Sequence, residues 1–459
     1  MAIRIYDSLS GKKEELTAPA KGPLKLFVCG PTVYDLPHLG HARVAIVFDF
    51  VKKYLKSRGL RVNYLQNITD VDDKIIARAQ EERSTVKEVS RRNEKIYLAT
   101  MKKLGVTGVD TYARASGHIK EIIQQIQRLT DKGFAYKTPH GVYFEVKKFP
   151  GYGKLSKQNL DELRPGWRIE PDAEKKDPLD FALWKLKKHD YEPSWKSPWG
   201  EGRPGWHIED TAITENYFGP QYDLHGGGMD LKFPHHESEI AQQEAASGLS
   251  PFVKTWMHVG FVMVNGEKMS KSLKNFVTVD DFLKSRSANT LRFLTFQHHY
   301  RSPIDYSDEI ARQAESALDG IEQFVARLPM AHGDSSAPKL DLTNYDQMFN
   351  AALDDDFNTP VAIAVLFTFI NATNKNMWRL SPKNAAVIKK WLLGKLDVLG
   401  IKSEAPFIPS KIRSLAKNRD SFRNTKQFHE SDAVRKEIEA FGYSIEDTPA
   451  GPFLWPKKS

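Results

Sequence analysis

A single cysteine, Cys29, is all that 459 residues contain, so no intrachain disulfide holds the fold and the chain suits a reducing compartment. No stretch approaches the roughly eighteen consecutive apolar residues that a membrane-spanning helix needs. The opening segment, Met1-Ala-Ile-Arg-Ile-Tyr-Asp7, has neither the apolar run of a secretory signal nor the Arg- and Ser-rich, acid-poor texture of a transit peptide. A cytoplasmic protein with no membrane contact is expected. Internal repeats and low-complexity tracts are missing as well. Acidic residues are outnumbered: 58 Asp and Glu against 67 Lys and Arg leave a net charge of +9. That balance is compatible with a polyanionic partner but does not require one.

What is present is ordinary globular material, 40% hydrophobic and 27% charged. The length exceeds one core, and at roughly 100–200 residues per domain it implies two to four domains. Leu24-Lys-Leu-Phe-Val-Cys29, closed by Gly30-Pro31, reads as a buried strand and a turn. From His41 to Arg58, Val44, Val47, Phe48, Val51, Tyr54 and Leu55 recur at helical spacing before Gly59 stops the run. Val62-Asn-Tyr-Leu65 reads as a second strand, and strand–helix–strand predicts a parallel α/β sheet. An amphipathic helix is predicted over 118–132, and a hairpin over 134–149 around Pro139-His140-Gly141. Strands resume at Tyr222–His225 and Phe261–Val264. Beyond about Ser307 the pattern is helical, with a linker at 403–410 and a short strand-like piece over 443–455.

Two elements carry phosphate chemistry. His38-Leu39-Gly40-His41 opens the first helix. Backbone N–H groups there attract phosphate, Gly40 permits close approach of a nucleotide, and two histidines three apart share a face. Alone, such a pair is more often a surface accident or a metal site. After the strand at 261–264, Asn265-Gly266 turns the chain into Glu267-Lys268-Met269-Ser270-Lys271-Ser272, a loop carrying two lysines. Cations placed on phosphoryl oxygens and departing pyrophosphate lower the barrier to attack on the α-phosphorus of ATP. By itself, a lysine-rich loop is usually just solvated surface.

Together the two elements resemble the HIGH and KMSKS motifs of class I aminoacyl-tRNA synthetases. Four further segments, Phe27–Asp35, Asn67–Lys74, Gly202–Glu209 and Asp223–Glu239, narrow the resemblance to the cysteinyl-tRNA synthetase family, and it runs along essentially the whole chain. The resemblance implies a doubly wound, Rossmann-type catalytic domain with an inserted subdomain, followed by an α-helical anticodon-binding region. Its expected bounds are 1–133 and 206–265 for the two catalytic halves, with the insertion at 134–205. The KMSKS and stem-contact region would be 266–310, the helical bundle 311–402, and a small C-terminal domain 411–459.

It implies that His38 and His41 bind ATP phosphates, supplied with Mg2+, and that Lys268 and Lys271 stabilise the transition state, Lys271 by direct contact. Gly40, the triple glycine Gly226, Gly227 and Gly228, and Asp230 are expected at the nucleotide. Cys29, Thr69 and Trp206 are expected at the amino acid. In that family two cysteines, a histidine and a glutamate hold a zinc ion that binds the substrate thiol and rejects serine. The matching positions are Cys29, Asp210, His235 and Glu239, and Asp210 departs from the pattern by replacing a cysteine. Zinc held by this harder set is the expectation; loss of the metal and a drifted amino-acid preference stay open.

The implied activity is ATP-dependent formation of cysteinyl-adenylate from L-cysteine and transfer to the 3′ end of tRNA(Cys), by a monomer. A mycothiol-pathway ligase passing cysteine to an amino sugar, and a catalytically silent paralogue, are the rivals. The segment Asp354–Pro360 also matches the family, and reads as a helix start capped by Asn358 or Thr359 with Pro360 at the first position. Arg435, Lys436 and Trp455 give the C-terminal piece a basic and aromatic character suited to stacking on an anticodon, though an ordinary solvated helix face would look the same.

Overall fold

A computed structural model describes residues 2–158, 174–269, 275–334, 341–403 and 405–457. The chain forms two units, Met1–Asp308 with Leu353–Thr359, and Glu309–Ala352 with Pro360–Ser459.

The first unit is built on a parallel sheet of β1 (Leu24–Val28), β2 (Val62–Ile68), β3 (Thr111–Arg114), β4 (Tyr222–Gly228) and β5 (Val253–Val259), in the order β5-β4-β1-β2-β3. A central parallel strand is covered on both faces, which is why β1 is an almost unbroken apolar run with Leu24, Leu26, Phe27 and Val28 buried. The helices of this unit include α1 (Leu39–Ser57), α2 (Asp73–Glu81), α3 (Val86–Lys103), α4 (Ile119–Asp131), α5 (Trp206–Phe218) and α6 (Glu237–Ser247). Helix α1 connects β1 to β2 and begins two residues earlier than its apolar spacing predicts, because polar His38 caps it. Inside α1, the fully buried Asp49 takes Arg292 at 2.6 Å and Lys53 at 2.8 Å, and accepts the N–H groups of Thr107 and Gly108.

Strands Ala135–Thr138, Gly141–Phe144, Phe181–Leu186 and Gly202–Pro204 make a separate antiparallel sheet. Phe144, Leu183 and Trp184 from it share one apolar cluster with Ile122, Ile126 and Leu129 of α4 and Ala241 and Ala245 of α6. Further on, Val262–Val264 pairs with Glu267–Lys268 through the predicted turn, where Asn265 (φ 54°) and Gly266 (φ 79°) are both left-handed.

The segment Asp354–Pro360 does more than start a helix. Asp356 is fully buried, with Arg301 at 2.7 Å, the Tyr300 hydroxyl at 2.6 Å and the Tyr6 N–H at 2.9 Å on its carboxylate. Asp354 accepts from the Tyr54 hydroxyl of α1. The following helix begins at Thr359, so Pro360 is its second residue, a position equally indifferent to a missing N–H.

The second unit contains helices Asp308–Arg327, Leu342–Asp354, Thr359–Asn374 and Pro382–Val398 at its core or border, then Ser410–Asn424, Phe428–Ala440 and a hairpin of Tyr443–Thr448 and Gly451–Pro456. Trp455 is no open stacking platform: it is buried, and its indole N–H donates to Asp319 at 2.9 Å. Alternation along the hairpin puts Phe453 and Trp455 on one face and Ile445, opposite Leu454, on the other, and all three of Ile445, Phe453 and Trp455 are buried. Arg435 is engaged with Glu439 on its own helix.

Candidate active site

At the C-terminal end of β1 the chain turns through Gly30-Pro31 and reaches α1, whose N-terminus faces a cavity of about 330 Å³. Cys29, Gly30, His38, Gly40, His41, Lys74, Trp206, Gly228, Asp230 and Met269 are in its lining. His38 and His41 form a reciprocal cap. Nδ1 of His38 accepts the N–H of Gly40 at 3.0 Å and of His41 at 3.4 Å, while Nδ1 of His41 accepts the His38 N–H at 3.3 Å. The rings stack with centroids 3.8 Å apart. Burial lowers the pKa of His38 to about 4, and burial with the neighbouring His38 and Lys74 lowers that of His41 well below the ordinary value. Both are therefore neutral near pH 7. With Nδ1 occupied as an acceptor, each keeps its proton on Nε2, as a donor for an anionic ligand. Gly40 is required by the cap itself: a Cβ there would lie 2.8 Å from Cε1 of His38.

The second motif reaches the same place. Met269 lines the cavity and its sulfur accepts the Val277 N–H, while Leu39 donates to the Val277 carbonyl at 3.2 Å and His38 bridges Thr278. Lys268 lies in the short strand Glu267–Lys268; its side chain and all of Lys271 lie outside the described residues.

Behind the cavity, β1, α5 and the start of α6 converge on a buried cluster. Cys29 Sγ lies 3.1 Å from Asp210 Oδ2 and 3.9 Å from Glu239 Oε1, and His235 Nε2 lies 3.0 Å from Asp210 Oδ2 and 3.2 Å from Glu239 Oε1. Donors of a tetrahedral zinc at 2.0–2.3 Å are separated by about 3.3–3.7 Å, so the set is close to what one ion would span. His235 is not on a regular helix with Glu239. It sits in a wide turn, Lys232–His236, that runs into α6 and still brings both donors to one point.

The electrostatics favour a cation. Burial, then the Asp210 and Glu239 charges, hold the Cys29 thiol well above its usual pKa, and burial with Asp210 does the same to Glu239. Among the described residues, Glu239 Oε2 has no hydrogen-bond partner. Thiol and carboxyls crowded this way, with one oxygen unsatisfied, fit a divalent ion, which would let them ionise together. The residues present therefore fit zinc.

Sequence reasoning missed two histidines here. His236 Nε2 is 3.1 Å and His225 Nε2 is 3.4 Å from Cys29 Sγ, and with Glu239 they make a second possible ligand set. Both are fully buried, and burial lowers both pKa values well below the ordinary range. The available signal was the histidine doublet His235-His236 and a histidine, His225, within a buried strand.

The remaining candidates divide. Trp206 lines the cavity and lies on the His235 ring, and Asp230 and Gly228 line the cavity too. Thr69 is buried, donating to Glu209 at 2.6 Å. Gly226 packs on Phe48, where a Cβ would fall 2.2 Å from Cζ, and Gly227 packs on His236.

Residues 16–316 match the family described as tRNA synthetases class I (C) catalytic domain, and residues 348–402 match the DALR domain. A cysteine–tRNA ligase of Thermococcus gammatolerans is 44% identical, the match covering 100% of this chain and 99% of that protein. One from Hahella chejuensis is also 44% identical, over 98% of each. Among solved structures, a Mycobacterium tuberculosis methionyl-tRNA synthetase in complex with methionyl-adenylate has a TM-score of 0.61 at 16% identity, covering 83% of this chain and 90% of that one.

Proposed function

The chain belongs to the cysteine–tRNA ligases, a family of class I aminoacyl-tRNA synthetases, and from that premise we propose how its residues divide the work. The reaction joins the cysteine carboxylate to the α-phosphorus of ATP, expelling pyrophosphate. A hydroxyl of the 3′-terminal ribose of tRNA(Cys) then attacks the activated carbonyl and AMP leaves. The observation that carries the assignment of roles is the shared cavity: both nucleotide motifs and Cys29 open onto it.

In this reading the Nε2–H groups of His38 and His41 hold phosphate oxygens, with the α1 N-terminus behind them. Being neutral, they bind without competing for the proton balance of the step. Mg2+ accompanies the ATP, and Lys268 and Lys271 neutralise charge on the leaving pyrophosphate. Asp230 and Gly228 face the nucleoside, and Trp206 covers the amino-acid side. Cys29, Asp210, His235 and Glu239 would hold zinc, which supplies a soft site that takes a thiolate in preference to a hydroxyl. A neighbouring cavity of about 280 Å³, lined by Tyr152, Phe181 and Lys185, shares Lys74, Trp206 and Asp230 with the first and gives the tRNA 3′ end a path to the adenylate. The single, reduced cysteine suits a cytoplasmic enzyme, and we take it to act as a monomer.

Cysteine-dependent pyrophosphate exchange and tRNA charging by the purified protein test this reading. Both activities are expected. Exchange without charging would favour an acceptor other than tRNA, and no exchange would leave a binding protein. Lys185→Ala is expected to lower charging and spare exchange.

A further inference from the structure

We propose that Asn67 is the positioning residue that allows an aspartate to serve at position 210 of the metal centre, by anchoring one carboxylate oxygen so that only the other reaches the ion. The inference rests on the reading that this cluster binds a metal.

Asn67 lies in β2 and is buried. Its amide is engaged at both ends. Oδ1 accepts the Gly30 N–H at 2.5 Å, which fixes the orientation of the amide, because only the oxygen can meet that donor. Nδ2 is thereby turned to Asp210, donating to Oδ1 at 2.5 Å. Asp210 is fully buried and its two oxygens are divided. Oδ1 belongs to Asn67, whereas Oδ2 lies 3.1 Å from Cys29 Sγ and 3.0 Å from His235 Nε2.

A thiolate offers one donor atom and needs little orientation. A carboxylate offers two, and unless one is occupied it can pivot to grip an ion with both, raising the coordination number and crowding an incoming thiol. Hydrogen bonds behind the ligands set which atom faces a metal. Asn67 acts on a second ligand too. Its Oδ1 holds the N–H of Gly30, the neighbour of Cys29, at a point where the two main chains run so close that a Cβ on Gly30 would lie 1.8 Å from the backbone carbonyl oxygen of Asn67. One side chain therefore sets the relative placement of Cys29 and Asp210, which come from different parts of the chain.

The test uses the full-length protein with Asn67→Ala and Asn67→Asp, each alone and combined with Asp210→Cys. Zinc affinity is read by chelator competition, and coordination number by the visible bands of the cobalt(II)-substituted protein. Asn67→Ala is expected to weaken zinc binding about tenfold to a hundredfold and to dim the cobalt bands as coordination rises above four. Asn67→Asp keeps the acceptor for Gly30 but sets an oxygen against Asp210, so it is expected to weaken zinc further. With cysteine at 210 the effect of Asn67→Ala should shrink to within about threefold, since the anchored oxygen is gone. Equal losses in both backgrounds would make Asn67 a general structural residue and overturn the proposal, as would unchanged affinity and spectrum. A wild-type protein that binds neither ion would overturn the metal reading itself, and does so before any substitution is made.

Discussion

Trp206 lies nearly flat on the ring of His235, with centroids 4.2 Å apart and planes 18° from parallel. One face of the indole thus supports a ligand of the metal cluster while the side chain lines the cavity. An aromatic contact is worth about 0.5–1.5 kcal/mol, so a cysteine resting on the cavity side of the indole would bind up to roughly tenfold more weakly without it. Trp206→Ala is expected to raise KM for cysteine by up to about tenfold with the bound metal retained. Steady-state pyrophosphate exchange and metal analysis check both halves, and an unchanged KM would count against a place for Trp206 at the amino acid.

The pKa of His38, about 4 in the folded protein against an ordinary 6.5, makes the fold acid-sensitive. Because the folded value is the lower one, the unfolded chain takes up the proton first. Stability is therefore intact above about pH 6.5 and is lost as pH falls toward 4. For this half-buried group the loss is of order 2 kcal/mol. His38→Gln should flatten that part of the stability curve, as measured by urea unfolding between pH 7 and 4. It should also slow pyrophosphate exchange about a hundredfold by removing a phosphate donor.

Gly226 stands where a methyl group would collide with Phe48 of α1. Gly226→Ala is expected to destabilise the protein by about 1–3 kcal/mol. Adding Phe48→Leu should recover part of the loss. Thermal melts of the single and double variants decide this. A Gly226→Ala protein of normal stability but raised KM for ATP would move the residue from packing to nucleotide contact.

Asp356 is the buried partner of Arg301, Tyr300 and the Tyr6 N–H. Asp356→Ala leaves the guanidinium and two other donors without their acceptor, and should cost about 3–5 kcal/mol. Asp356→Asn, which keeps an acceptor, should cost less. Urea midpoints give the comparison, and a cost within 0.5 kcal/mol for the alanine variant would contradict it.

What was legible in the sequence followed from local pattern. The unbroken apolar run of β1, the helical spacing of α1 and the Asn265-Gly266 turn each specify their element without help from distant residues. The four residues Cys29, Asp210, His235 and Glu239, matched segment by segment to a family, do come together in space. Long-range partners left no such trace. Nothing beside Asp49 announces Arg292, and nothing around Asp356 announces Arg301. The triple glycine looked like one device for admitting a ligand, but its members alternate across a strand. Gly226 therefore meets Phe48, Gly227 meets His236, and Gly228 lines the cavity. Trp455 was hidden for the same reason, since alternation in a short hairpin turns it inward onto Asp319.

The most direct measurement is ATP–pyrophosphate exchange driven by cysteine against exchange driven by serine, on the purified protein with its metal content determined. A centre in which Asp210 has replaced a thiolate yet still presents a metal to the substrate predicts exchange with cysteine and discrimination against serine of roughly 10⁴-fold or more. Comparable exchange with the two amino acids, or selection of cysteine by a protein that contains no metal, would contradict the account.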